Sequence, residues 1–135
     1  MSSDSILLNL DVPDIETAER FYVAAFDLRP ARRFGTDALE LRGWPVPVYL
    51  LRKAEGTVGA ADDARRYRRH WTPLHIDVAV DDLDASVARA ISAGALLEAP
   101  PRQASYGRIA MLADPFGHGF CLIEFSSAGY DSISS

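Results

Sequence analysis

His75 and Asp77 stand two residues apart in the run His75-Ile76-Asp77-Val78-Ala79-Val80. In an extended strand that spacing puts both side chains on one face. There a carboxylate can orient and charge an imidazole, whose ordinary pKa near ~6.5 suits proton transfer or metal ligation. Asn9 holds the place of Asp77 in an earlier run of the same pattern, and an uncharged amide there can read a ligand carbonyl. Tyr49 offers a hydroxyl and a ring for stacking. Cys121 is the only cysteine, which excludes an intrachain disulfide and a zinc site built on several thiolates. Trp71 and Tyr106 are candidate walls of a binding cleft. Each has a plainer alternative: a satisfied histidine at 75, an arginine partner or loop cap at Asp77, an inter-strand bond at Asn9, a buried inert thiol at Cys121, and ordinary packing for the aromatic residues. No nucleophilic triad and no glycine-rich phosphate loop can be read.

The elements that must position these residues come from an internal duplication. Leu7-Leu8-Asn9-Leu10-Asp11-Val12-Pro13-Asp14-Ile15-Glu16 and His75-Ile76-Asp77-Val78-Ala79-Val80-Asp81-Asp82-Leu83-Asp84 share one pattern at an offset of 68 residues. Leu8, Leu10 and Val12 alternate with Asn9 and Asp11, and Ile76, Val78 and Val80 alternate with Asp77 and Ala79, which is the period of a strand with one apolar face. Asp14 and Asp82 follow as N-cap residues. Helical stripes come next: Ile15, Ala18, Phe21, Tyr22, Ala25 and Phe26, then Leu83, Val87, Ala90 and Ile91, the second closed by Gly94. Strand-like runs complete each half, at about 28–34, 38–42 and 46–52, then 96–98, 108–112 and 119–125. Each half therefore reads βαβββ.

The fold class expected is α+β, with two βαβββ modules pairing mixed sheets around a cleft and a helix on the outer face of each. A lone half leaves one sheet face uncovered, and two such faces can enclose a cleft. Leu8, Leu10, Ile76 and Val78 are expected to face the helices; Leu7, Asn9, His75 and Asp77 are expected to face the cleft. Residues 1–135 are read as one domain: a module at 5–52, a linker at 53–72 that can hold a short helix, a module at 73–126, and a loose tail at 127–135. The linker run Arg65-Arg66-Tyr67-Arg68-Arg69-His70 reads as a solvated face answering Asp62 and Asp63, with an anion or partner site as the alternative. Trp44, between Gly43 and Pro45, is expected in a hairpin turn, shielding an edge or a dimer contact. His118 is expected to be exposed on its turn.

A chain of 135 residues with 48% hydrophobic content can bury a core without a metal or disulfide staple. The net charge of −5 disfavours nucleic-acid binding. No run approaches the ~20 apolar residues of a membrane helix, and Met1-Ser2-Ser3-Asp4-Ser5 lacks the features of a secretory signal. A cytoplasmic location is the expectation.

Three segments carry a family resemblance: Asp11 to Tyr22, with its strand-to-helix start; His75 to Leu83, the same element in the second half; and the turn Asp114-Pro115-Phe116-Gly117-His118-Gly119-Phe120 before the last strand. In this order and spacing they resemble the vicinal oxygen chelate superfamily, the glyoxalase, bleomycin-resistance and extradiol-dioxygenase group. The resemblance implies a cleft in which metal-dependent members hold a divalent ion by four equivalent positions, two per half. Here those positions fall on Leu7, Tyr49, His75 and Cys121. Leu7 cannot ligate, Tyr49 is an uncommon ligand, and only His75 is a standard one. Glu124 lies three residues past Cys121 and is expected on the opposite face. The standard metal site is therefore not expected and no cofactor is expected; were a divalent metal present, His75 would be its first ligand.

The expected function is binding of a small organic molecule in the cleft by His75, Asp77, Asn9, Tyr49, Cys121 and Trp71. The alternative is a lyase, isomerase or dioxygenase that uses a metal, or His75 with Asp77 as catalytic groups. A subunit-interaction module is a third class. The resemblance implies a homodimer, and the modules can pair within one chain or across two.

Overall fold

A computed structural model describes residues 5–135, so the signal-sequence reading of Met1–Asp4 lies outside the described residues. The chain divides into two compact units, Met1–Arg68 and Arg69–Ser135. In the first unit the elements are β1 (Leu8–Val12), α1 (Ile15–Phe26), β2 (Arg29–Phe34), β3 (Ala38–Arg42), β4 (Val48–Arg52), β5 (Val58–Ala60) and β6 (Asp63–Ala64). The second unit has β7 (Ile76–Ala79), α2 (Leu83–Ala93), β8 (Leu96–Ala104), β9 (Gly107–Ala113) and β10 (Gly119–Phe125), then a 3-10 turn at Gly129–Ser132. The two main sheets have orders β1-β4-β3-β2 and β7-β10-β9-β8. In each, the first strand runs parallel to the last and the others pair antiparallel. This is the α+β fold of duplicated βαβββ units that the sequence pattern implies.

Local chemistry starts and stops both helices where the repeat requires. The Asp14 carboxylate accepts from the Glu16 amide at 3.1 Å, and that of Asp82 accepts from the Ala85 amide at 3.1 Å. The helices end at left-handed or positive-φ residues, Asp27 (φ 57°) and Gly94 (φ 123°). The inner stripe of α1 is buried at Ile15, Ala18, Phe21, Tyr22 and Ala25. That of α2 is buried at Leu83, Val87 and Ala90, but Ile91, expected with them, is 44% exposed.

In the first sheet, paired positions Leu10–Leu50, Leu39–Leu50 and Leu41–Val48 stack buried aliphatic side chains on the face that α1 covers. The same registers put Asn9 beside Tyr49 and Tyr49 beside Glu40 on the other face. The second sheet follows suit: Phe120 and Leu122 are buried toward α2, while Cys121 pairs with Asp77 and with Met111 on the open face.

Three expectations are corrected. The 53–72 segment holds no helix; β5 and β6 form a small hairpin, because Gly56 at φ 87° and Ala61 at φ 52° turn the chain too tightly for one. β8 runs to Ala104 rather than stopping near 98, since Pro100 and Pro101 lie on an edge strand whose register shifts twice, which relieves the ladder of their missing N–H groups. The tail beyond Phe125 is anchored: Tyr130 packs on Phe125 and Tyr106 at ring-centroid distances of 4.8 and 5.4 Å, and Ser132 Oγ donates to the Ser105 carbonyl at 3.1 Å.

Candidate functional site

In the second unit, His75 enters β7 and Asp77 lies within it, both exposed on the side away from α2. His75 Nε2 and Asp77 Oδ1 are 3.4 Å apart, at the long limit for a hydrogen bond. The Trp71 ring sits 5.1 Å from the imidazole, tilted by 46°. Cys121, one strand over and in register with Asp77, is 5% exposed. Burial pushes its thiol up to about 11; the neighbouring Asp77 carboxylate, which accepts its hydrogen bond, adds to the effect. His75, Asp77 and Cys121 each offer a ligand atom, all within 4.8 Å of one another. Beyond them the open face turns apolar, with Ile109, Cys121 and Ile123 buried and Tyr106 and Met111 packed against them. The open face is thus mixed: polar at His75 and Asp77, apolar at the Cys121 cluster, with Arg102 beside Ile109 on β8.

An imidazole nitrogen, a carboxylate oxygen and a thiol sulfur form a mixed donor set. It fits a borderline-soft divalent ion such as zinc better than a hard ion such as manganese or magnesium, which favours oxygen. Asp77 is the carboxylate donor of this set, two residues along the chain from His75. Leu7, at the first family position, is 53% exposed and has no donor atom. Glu124, as the strand period requires, turns the other way and accepts from the Leu83 amide at the start of α2 at 3.0 Å.

The first unit carries a second polar constellation on the open face of its sheet. Glu40 is 2% exposed. Its Oε1 accepts from Arg32 Nε at 2.9 Å and from the Arg32 backbone amide at 3.3 Å; its Oε2 accepts from Arg32 Nη2 at 3.0 Å, Arg42 Nη2 at 2.9 Å and the Tyr49 hydroxyl at 2.9 Å. These bonds to the charged form, Arg32 first, hold the carboxyl down at about 2. The backbone bond exists because β2 bulges between Pro30 and Arg33, leaving the Arg32 amide to a side-chain acceptor. Tyr49 is therefore a member of an ion network, not an isolated hydroxyl. Asn9 is its exposed register partner. Sequence reasoning passed over Glu40 and Arg32. The signal was present, since Glu40 alternates with the helix-facing Leu39 and Leu41 on an inner strand and so had to occupy the other face.

The remaining candidates have structural work. Arg65 Nε donates to Asp11 at 2.7 Å, and Arg69 grips Glu98 through Nε and Nη2 at 2.6 and 2.9 Å while Nη1 donates to the carbonyls of His70 and Gly117. Arg66, 3.6 Å from Asp63, answers the nearby acidic pair in the manner expected of the run. His118, expected to be exposed, is held by the buried Asp114, whose Oδ2 lies 2.8 Å from Nδ1 and whose Oδ1 accepts from the amides of Phe116 and His118. Trp44 packs on Phe26 of α1 at a ring-centroid distance of 5.2 Å. Tyr106 lies against the Cys121 cluster and Tyr130.

Two capped βαβββ units, each with a polar patch on the uncovered face of its sheet, define a protein of the paired-module kind. The glyoxalase-like domain family matches residues 7–123, and the chain belongs to that family, within the vicinal oxygen chelate superfamily. It is 37% identical over 127 residues to the anthracycline biosynthesis protein DauV of Streptomyces sp. (strain C5); the match covers 90% of this chain and 41% of that protein. The chain thus spans about two fifths of that relative's length. Its fold matches that of a glyoxalase/bleomycin resistance/dioxygenase family enzyme from Burkholderia phytofirmans PsJN with a TM-score of 0.71 at 20% identity, covering 92% of this chain and 100% of the other. The fosfomycin resistance protein FosX of Listeria monocytogenes, in a complex with Mn(II) and a dihydroxypropylphosphonic acid, matches with a TM-score of 0.71 at 17% identity, covering 95% and 94%. Among the described residues no helix is long and apolar enough to cross a membrane.

Proposed function

We propose that this glyoxalase-like chain binds a small organic molecule on the open face of its second sheet, without the family's standard metal site. The observation that carries the reading is the exposed His75–Asp77 pair beside Trp71, bordered by the apolar Cys121 cluster. A few polar anchors next to hydrocarbon and one aromatic ring are what a small, largely apolar ligand needs. His75 and Asp77 supply one donor–acceptor edge, and Trp71 supplies a stacking surface. The metal-free part is supported by Leu7 at the first ligand position and by a Cys121 thiol that stays protonated at neutral pH. Because a relative serves anthracycline biosynthesis, an anthracycline is the first ligand to try, with simple aromatic compounds beside it. The same reading takes the chain as a cytoplasmic homodimer that binds neither nucleic acid nor membrane, and light scattering measures the dimer.

The test uses a Trp44→Phe protein, in which Trp71 is the sole tryptophan reporter. Ligand addition is expected to change its fluorescence, and His75→Ala is expected to weaken binding at least fivefold. Full affinity in His75→Ala removes that residue from the site. One observation favours a second reading: the three donor atoms within 4.8 Å. His75, Asp77 and Cys121 would then hold a borderline divalent ion, which would supply Lewis-acid polarisation of substrate oxygens. Elemental analysis of tag-free protein separates the two, stoichiometric metal favouring the second.

A further inference from the structure

We propose that the open face of the first sheet is a preorganised anchor for a planar aromatic carboxylate, with Arg32 as the group that grips the anion and Phe34 and Tyr49 as the surface beside it. The inference does not depend on the reading of His75 and Asp77.

An exposed arginine normally loses rotamer freedom when it binds an anion. Arg32 has already lost it. Its Nε and Nη2 are bonded to Glu40, and Nη2 also donates to the Tyr49 hydroxyl at 3.2 Å. Its Nη1 stands outside that network on a side chain that is 63% exposed. One edge of the guanidinium is therefore fixed and another remains for a ligand, and the rigid fork matches carboxylate geometry in a way an ammonium does not. The guanidinium carbon lies 5.5 Å from the Phe34 ring centre, and the Phe34 ring is 6.2 Å from that of Tyr49. Phe34 is 44% exposed at the end of an edge strand, so an aromatic face lies open beside the cation.

Arg32 and Arg42 both bond the Glu40 carboxylate. Glu40 stays ionised throughout the physiological range, so its hold on Arg32 does not lapse. A structural ion pair alone would not need its arginine displayed beside an uncovered aromatic ring. The matching position in the second sheet shows that the fold does without the network: Met111 stands opposite Cys121 as Glu40 stands opposite Tyr49.

The experiment titrates the full chain with 2-naphthoate and, separately, with the neutral 2-naphthylmethanol, following backbone amide shifts by NMR. The acid is expected to move Arg32, Phe34 and Tyr49 first and to bind at least tenfold more tightly than the alcohol. Arg32→Gln is expected to lose tenfold or more, and Arg32→Lys most of that, because a point charge lacks the fork. Glu40→Gln raises the local positive charge yet is expected to weaken binding, since it frees the guanidinium. Equal binding of acid and alcohol, undiminished affinity in Arg32→Gln, or tighter binding in a folded Glu40→Gln each overturns the proposal. If Glu40→Gln fails to fold by circular dichroism, the two Arg32 variants, altered at an exposed side chain, decide the matter. Failure here leaves the His75 reading standing, because that reading is scored on a different variant and reporter.

Discussion

Replacing Glu40 by glutamine should remove a pH-dependent part of the protein's stability, and the size follows from the network around it. In the folded chain the carboxyl is held at about 2, against an ordinary 4.5. At about 1.4 kcal/mol per tenfold change in proton affinity, that depression sets a ceiling of roughly 3 kcal/mol. Arg32 is mostly in water, which screens its part of the attraction, so about 1–2 kcal/mol is the expected gap between wild type and Glu40→Gln at pH 7. The folded pKa lies below the unfolded one. The stabilisation is therefore complete above about 4.5 and is lost as pH falls toward about 2. Urea unfolding of both proteins from pH 7 down to 3 measures it. Other carboxylates titrate equally in the two, so their difference isolates Glu40, and about half of the gap should be gone by pH 3. A gap that stays constant over that range would refute the reasoning, because the loss would then come from shape or from neutral hydrogen bonds rather than from an ionised carboxylate.

Gly107→Ala should destabilise by about 2 kcal/mol or more in urea unfolding, since its φ is +145° and a Cβ would lie 2.1 Å from the Glu124 carbonyl oxygen, with no flexible neighbour to yield. Gly119→Ala should cost less, because its Cβ meets Arg69 Nη2 at 2.5 Å and that side chain can move; the price is its hold on Glu98 and Gly117. In an Arg69→Ala background the Gly119→Ala cost should therefore nearly vanish, a coupling that a double-mutant cycle reads directly. Cys121 should resist iodoacetamide in the native state from pH 7 to 9, with its thiol pushed up to about 11, and should react readily once urea exposes it; mass spectrometry follows the label.

The parts of this molecule written in local pattern were legible from the sequence. Period-two alternation fixed which side chains of β1 and β7 face the helices, and both aspartate caps sit where their spacing put them. Cys121 falls on the open face, where the family resemblance put it, and Glu124 on the other, because three residues along a strand reverse the face. What escaped depends on partners remote in the chain. Arg32 reaches Glu40 only because β2 bulges, and nothing in the run Arg29-Pro30-Ala31-Arg32-Arg33-Phe34 announces a bulge. His118 looked like a surface residue because its partner is a carboxylate folded back within the same turn. Arg65 and Arg69 seemed part of one solvated run, yet each pairs with an acid tens of residues away. The long β8 was hidden by Pro100 and Pro101, which are acceptable there only because the strand is an edge.

The duplication explains why one chain can hold two unlike polar faces on a common backbone. Registers are set by the buried helix-facing side chains, Leu10 with Leu50 in one sheet and Val78 with Leu122 in the other, and these keep the same parity in both halves. Open-face positions then correspond pair by pair: Asn9 and Tyr49 in the first sheet, Asp77 and Cys121 in the second, with Glu40 and Met111 on the next strand. A carboxylate at the Glu40 position is tolerable only with its guanidiniums in place, because a buried charge without partners is costly. The second sheet has hydrocarbon at that position, and its polar groups collect instead at the exposed edge strand, where water covers part of the cost. Fold and chemistry are thus specified by alternate residues of the same strands. That division lets open-face residues change while the helix-facing set continues to specify the fold.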